Sequence, residues 1–74
     1  MKELWKATHP RRDATLHIVN RGTPFQPFVV CHNFDGAEWD HGTYCDTLEQ
    51  AIEAFQAKLL DFGYVDGKEV QNEV

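Results

Sequence analysis

The sequence predicts an α+β fold in which a four-stranded antiparallel β-meander is followed by one amphipathic helix, in the order ββββα. Up to Cys45, four short segments alternate apolar and polar residues and are separated by clusters of Gly, Pro, Asn and Asp. After Cys45 the apolar residues recur every three or four positions, which is the period of one helical face. We therefore expect the helix to pack on one face of the sheet.

The first two strands are predicted at residues 3–8 (ELWKAT) and 14–20 (ATLHIVN), where β-branched and aromatic residues alternate with polar ones. The third strand is predicted at 28–34, after two prolines that each remove a backbone donor. The fourth strand is predicted at 39–45, with Gly42 as a bulge or a site of close packing.

The helix has the clearest signal in the sequence. Thr47 with Gln50 three residues later predicts a capping box, and Gly63 predicts a left-handed residue at the carboxyl end. The segment YVDGKEV (64–70) is compatible with a short strand pair or with a chain that trails across the surface, and residues 66–74 are a candidate flexible tail. The apolar face of the predicted helix consists of Leu48, Ala51, Ile52, Phe55, Leu59 and Phe62.

The chain has 74 residues and a formal net charge of -5, so we expect one domain over 1–74. No apolar stretch long enough for a membrane span or a signal peptide is visible, which predicts a cytoplasmic protein without a membrane partner. Five of the seven basic residues lie within the first 21 positions, whereas positions 22–74 carry ten carboxylates. This distribution disfavours general nucleic-acid binding, which needs a concentrated basic face.

The stretch CHNFDGAEWDHGTYC (31–45) raises the question of a metal site or a disulfide. In a regular hairpin with a four-residue loop, His32 opposes His41 and Phe28 opposes Cys45, so the two cysteines lie on opposite faces. Neither a disulfide nor a metal site with two cysteines forms in that arrangement, although an odd loop length or a bulge at Gly42 would change the pairing. We predict no metal and no cofactor. The two histidines are expected to form an ordinary half-exposed cross-strand contact, and the alternatives for such a pair are titration near neutral pH and weak cation binding.

No catalytic residues are predicted. A cysteine with a neighbouring histidine is a conceivable nucleophile and base, but the sequence has no nucleophile elbow and no recognisable third orienting residue. The sequence therefore predicts a protein that is not an enzyme, with its cysteines as small apolar core residues.

A single helix covers one face of a sheet, yet both predicted faces contain apolar residues. We expect the helix to pack on the face of Val29, Cys31, Gly42 and Tyr44, where small residues allow close approach. The other face would then be open, and such a patch is typical of a protein interface. In the alternative, Phe34 and Trp39 pack beneath the helix as core. Under the first arrangement, Trp39→Ala weakens binding more than folding.

The predicted partner-binding residues combine the open aromatic and imidazole side chains with the acids of the hairpin. Acidic side chains there would attract a basic groove on a target protein. The set consists of Phe34, Trp39, His32, His41, Asp35, Glu38 and Asp40.

The segment FVVCHNFDGAEWDHGTYCDTLEQAIEAF (28–55) resembles short proteins of phages and other mobile elements. They share a V-V-small-H-N-aromatic-D hairpin, then W-x-x-G-x-Y, then a helix that opens with a capped Leu-Glu pair. Among small acidic phage proteins are inhibitors of host defence such as anti-CRISPR proteins, so the resemblance implies a phage-encoded inhibitor of a host protein. It implies no active-site residue.

Two other functions remain open at this stage. One is a nucleic-acid-binding accessory protein that uses Trp5 and the basic amino-terminal residues Lys6, Arg11, Arg12 and Arg21. The other is a structural homodimer with no outside ligand.

Overall fold

The computed structural model describes residues 1–70. These residues form one antiparallel sheet of five strands, in the spatial order β4-β3-β2-β1-β5, with one helix against it. The predicted α+β meander of four strands followed by a helix is confirmed, and a fifth strand is added to it. The elements are β1 (Lys2–Thr8), β2 (Thr15–Asn20), β3 (Phe28–His32), β4 (Asp40–Cys45), α1 (Leu48–Phe62) and β5 (Val65–Glu69).

The helix begins and ends where the sequence predicts. The Thr47 hydroxyl accepts a hydrogen bond from the Gln50 N–H, and the Gln50 side chain accepts one from the Thr47 N–H, so the capping box is complete. Gly63 has φ 77°, in the left-handed region, and ends the helix. The turn at Gly63 redirects the chain so that β5 can return beside β1.

The fifth strand is the main departure from the predicted topology. β5 pairs with β1, with Lys68 opposite Lys6, and all five of its residues are exposed. A Cβ at Gly67 would lie 2.6 Å from Leu59 Cδ1, so glycine allows the strand to pass close to the helix. Residues 71–74 of the predicted tail lie outside the described part of the chain.

The main core lies between α1 and the sheet, on the face opposite to the one expected. The helix packs on the side of Val30, Phe28 and Cys45 rather than on the side of Val29, Cys31 and Tyr44. The reason is that the long side chains Leu16, Ile18 and Phe55 fill the space between the layers, and the small residues on the other face are not needed for close approach. The buried members of this core are Ala7, Leu16, Ile18, Val30, Cys45, Ala51, Phe55 and Tyr64.

The β3–β4 hairpin contains an irregularity that changes which side chains share a face. Phe28 opposes Cys45 as predicted, but His32 opposes Asp40 instead of His41 because the register shifts between Val30 and His32. His41 has φ 48° and Asn33 has φ 57°, both in the left-handed region. Each breaks the alternation, so the side chains beyond them point to the other face.

The two cysteines are free, buried and on opposite faces, as predicted. Cys45 belongs to the core beneath α1, whereas Cys31 belongs to a second cluster on the other side of the sheet. Burial raises the pKa of the Cys31 thiol to about 12, so this thiol stays protonated at neutral pH.

Candidate partner-binding face

The face of the sheet that does not contact α1, called the open face below, carries a small core of its own. Val19, Val29 and Cys31 are fully buried there, and the partly buried side chains of Phe34 and Trp39 pack against them. Phe34 and Trp39 therefore lie on the open face as expected. They reach it through the irregular residues Asn33 and His41, and not by the predicted alternation.

Gly42 allows Trp39 to lie flat on the sheet. A Cβ at position 42 would lie 2.8 Å from Trp39 Nε1 and 2.8 Å from Val29 Cγ2, closer than side chains approach one another. The indole thus occupies the space above the glycine backbone. It follows that Trp39 contributes to stability as well as presenting an aromatic surface, so Trp39→Ala should lower the free energy of unfolding in addition to any effect on binding.

Residues 34–39, within the loop between β3 and β4, are called the tip loop below, and one carboxylate orders them. Asp35 Oδ1 accepts hydrogen bonds from the N–H groups of Ala37 and Glu38, at 2.9 and 2.8 Å. These bonds lower the pKa of Asp35, so its exposed carboxylate stays ionised. At the base of the loop the ring centroids of Phe34 and Trp39 are 6.2 Å apart. The loop is therefore an ordered unit with two aromatic rings and two exposed acids.

The aromatic surface of the open face continues along β4 to Tyr44. This side chain is 43% exposed, and the Arg21 guanidinium lies 4.6 Å from its ring centroid. Arg21 also donates to the carbonyls of Phe25 and Gln26, which fixes the loop between β2 and β3. Sequence reasoning missed Tyr44 as a member of the open face because it expected the helix to cover it.

Three polar side chains on the open face form a chain of carboxylate, imidazole and hydroxyl. Glu3 contacts His17 Nδ1, and His17 Nε2 lies 2.6 Å from Thr15 Oγ1. Burial lowers the pKa of His17, and the contact with Glu3 opposes that effect. The order resembles that of a hydrolytic triad, but the N–H of Thr15 donates to Asn33 Oδ1 and is not free to stabilise an oxyanion. We interpret these contacts as the hydrogen bonds that satisfy both ring nitrogens of the buried His17.

Three of the predicted site residues, His32, His41 and Asp40, lie elsewhere. They line an open groove of about 590 Å³ at the carboxyl end of α1, called the helix-end groove below. His32 is buried, its Nδ1 lies 2.7 Å from the Tyr64 hydroxyl, and its ring centroid is 6.3 Å from that of His41. Burial lowers the pKa of His32, as do Lys58 and His41 nearby. The predicted set therefore divides into the tip loop on one side of the sheet and this groove on the other.

The basic amino-terminal residues are likewise not brought together. Trp5 packs on Phe55 in the main core, and Lys6 lies on the open face beside Lys68. Arg21 is engaged by Tyr44 and by loop carbonyls. Of this group Arg12 alone lines the helix-end groove. The group as a whole forms no continuous basic surface.

Within residues 1–70, no group of three or more His, Cys, Asp or Glu side chains has an arrangement that could hold a metal ion. In the same residues, no helix is both long and apolar enough to span a bilayer.

Comparison with protein-family models, with curated proteins and with solved structures finds no significant match to this chain.

Proposed function

We propose that this protein is a non-enzymatic binding module that docks its tip loop and open face onto a basic surface of another protein and inhibits it. A phage-encoded inhibitor of a host protein, as the sequence resemblance implies, is the form of this proposal that we favour. The observation that carries it is the ordered tip loop, which holds Phe34 and Trp39 on the uncovered face next to the carboxylates of Asp35 and Glu38.

The composition of this surface is suited to protein recognition. Aromatic residues are enriched at the energetic centres of interfaces, and the open face has three of them, with Phe34 and Trp39 in the tip loop and Tyr44 on β4. The hydrogen bonds to Asp35 fix the loop before binding, which reduces the conformational entropy lost in a complex. The loop acids add a negative charge that steers association with a basic partner.

The charge of the protein favours a foreign partner over a second copy. Each chain carries a net charge of -5, so two copies repel one another at long range, whereas a basic protein is attracted. Lys6 and Lys68 lie on the open face away from the tip loop, so an antiparallel pairing of two copies is the competing arrangement. The test must separate these two outcomes.

The test compares variants of the tip loop and open face with variants of α1. Host proteins are captured with the immobilised wild type and with two open-face variants, Glu38→Lys and Tyr44→Ala. Two variants of α1 serve as controls, Glu53→Lys for the change in charge and Leu60→Ala for the loss of exposed apolar surface. Leu60 is 80% exposed on the helix and Glu53 is exposed there as well. The proposal requires that wild type captures a basic protein. With that partner purified, its affinity for Glu38→Lys and for Tyr44→Ala should be lower than for wild type by about tenfold or more. Its affinity for the two control variants should equal that for wild type.

Two results would contradict the proposal. Equal loss in the open-face variants and in the α1 controls would show that the open face is not the interface. Sedimentation that finds a wild-type dimer, dissociated by Tyr44→Ala, would assign the open face to self-association instead.

A further inference from the structure

The helix-end groove differs in charge from the rest of this acidic protein. Arg12 and Lys58 line it, and among residues 1–70 no carboxylate oxygen lies within 4.0 Å of a nitrogen of either side chain. The carboxylate in the groove, Asp40, accepts a hydrogen bond from the Asn33 amide at 3.1 Å. Another groove, between β1 and β5, is lined instead by two lysines and two carboxylates, so its charges balance. Among the described residues, the helix-end groove therefore carries two basic side chains against one carboxylate, with no ion pair between them.

The position of Arg12 is set by the loop between β1 and β2. His9 Nδ1 accepts hydrogen bonds from the N–H groups of Arg11 and Arg12, both at 3.1 Å, which orders the turn. The His9 ring then packs edge-on against Tyr64, with centroids 5.6 Å apart. The turn is thus attached to the wall of the groove, and the Arg12 backbone is held at its rim, from which the exposed side chain lines the groove.

An aromatic wall completes the groove. The Phe62 side chain is 53% exposed. Its ring packs edge-to-face against the His32 ring, with the two centroids 5.0 Å apart. Lys58 Nζ lies 5.9 Å from the centroid of the Phe62 ring. The volume of about 590 Å³ falls within the range of small-molecule sites. A flat ring packed on Phe62 would lie beside Lys58, and an anionic group attached to it would share the groove with the Arg12 and Lys58 side chains.

We propose that the helix-end groove binds a small phosphate ester that carries a flat ring, of the chemical class of a nucleoside monophosphate. Arg12 and Lys58 bind the phosphate, His41 donates a further hydrogen bond, and Phe62 contacts the ring. A single nucleotide is favoured over a long strand because the ten carboxylates of residues 22–74 repel a polyanion. This site is separate from the open face and does not depend on the function proposed for it.

The experiment is a calorimetric titration of the full chain with adenosine monophosphate, ribose 5-phosphate and a ten-residue oligodeoxythymidine. We expect saturable binding of adenosine monophosphate that weakens about tenfold in Arg12→Gln or Lys58→Gln. The matched control is Arg11→Gln, since Arg11 belongs to the same turn but does not line the groove. Adenosine monophosphate should bind more tightly than ribose 5-phosphate, and Phe62→Ala should remove that difference. Thermal melts verify that each variant is folded.

Three outcomes would overturn the proposal. The first is no saturable binding of adenosine monophosphate up to about 10 mM, a limit that corresponds to less than about 3 kcal/mol of binding free energy. The second is equal weakening by Arg11→Gln and Arg12→Gln, which would indicate attraction to the turn in general. The third is tighter binding of the oligodeoxythymidine than of the mononucleotide, which would assign the groove to a strand.

Discussion

Gly42→Ala tests the packing of Trp39 on the open face more directly than truncation of the tryptophan does. The backbone of Gly42 is not in the left-handed region, so alanine causes no backbone strain there, and its effect is that of one methyl group. That methyl would lie 2.8 Å from both Trp39 Nε1 and Val29 Cγ2. Val29 is fully buried and Trp39 is half-buried, so the indole is the group that moves. Insertion of a methyl group into a packed site costs about 1–3 kcal/mol.

Two measurements check this expectation. Urea denaturation should show a decrease of about 1–3 kcal/mol in the free energy of unfolding, against about 0.5 kcal/mol or less for the exposed neighbour in Thr43→Ala. A thiol reagent under native conditions should label Cys31 faster in Gly42→Ala, because the displaced indole uncovers the second cluster. Cys45, beneath α1, should be labelled faster only in proportion to the loss of global stability, so the rate of Cys31 should rise by a larger factor than that of Cys45.

The effects of Gly42→Ala and Trp39→Ala on stability should also be coupled. In a Trp39→Ala background the added methyl no longer meets the indole, so Gly42→Ala should cost less than it does in the wild type. Wild-type stability in Gly42→Ala together with an unreactive Cys31 would refute the packing described here.

Further predictions concern the helix and the buried histidine beside it. Thr47→Ala removes the hydroxyl that accepts from the Gln50 N–H and should lower the free energy of unfolding by about 1 kcal/mol in urea denaturation, and no loss would argue against the capping box. Tyr64→Phe leaves His32 Nδ1 without its partner and should cost about 1–3 kcal/mol by the same method, so a neutral effect would contradict the buried bond. Burial lowers the pKa of His32 in the folded protein below its ordinary value of 6.5, so the unfolded chain binds this proton at a higher pH than the folded protein does. The free energy of unfolding should therefore fall as the pH drops below about 6.5. In His32→Gln that decrease should be shallower between about pH 7 and 5, with His17 still contributing in the same direction, and an unchanged slope would show that His32 is not the group concerned.

The elements that the sequence predicted well are those with a local physical cause. The capping box of Thr47 and Gln50 and the left-handed Gly63 depend on neighbours within one turn, and the alternation in β1 to β4 depends on one buried side of each strand. β5 has no such signal, because all of its residues are exposed and its pairing with β1 joins segments almost sixty residues apart.

The candidate sites depended on details that alternation does not contain. Two non-glycine residues with positive φ, Asn33 and His41, move Phe34 and Trp39 to the open face and leave His32 beneath the helix. Asparagine and histidine are both enriched in this conformation, so Asn33 and His41 were weak signals, but neither residue alone indicates where the alternation breaks. The helix-end groove could not be predicted from the sequence, because its residues come from the first turn, the β3–β4 hairpin and the end of α1, which only the tertiary fold brings together.

The pairing of β5 with β1 covers an edge of the sheet that is otherwise free during synthesis of the chain. β1 is paired with β2 on one side only until residues 65–69 are available, and the N–H of Val70 then donates to the Leu4 carbonyl at 2.8 Å. Before that point, the unsatisfied backbone groups of ELWKA are a template on which another copy can add a strand. A nascent or proteolysed chain that stops after α1 would thus be the form most prone to aggregate. By pairing with β1, β5 protects this edge of the sheet from association with another copy.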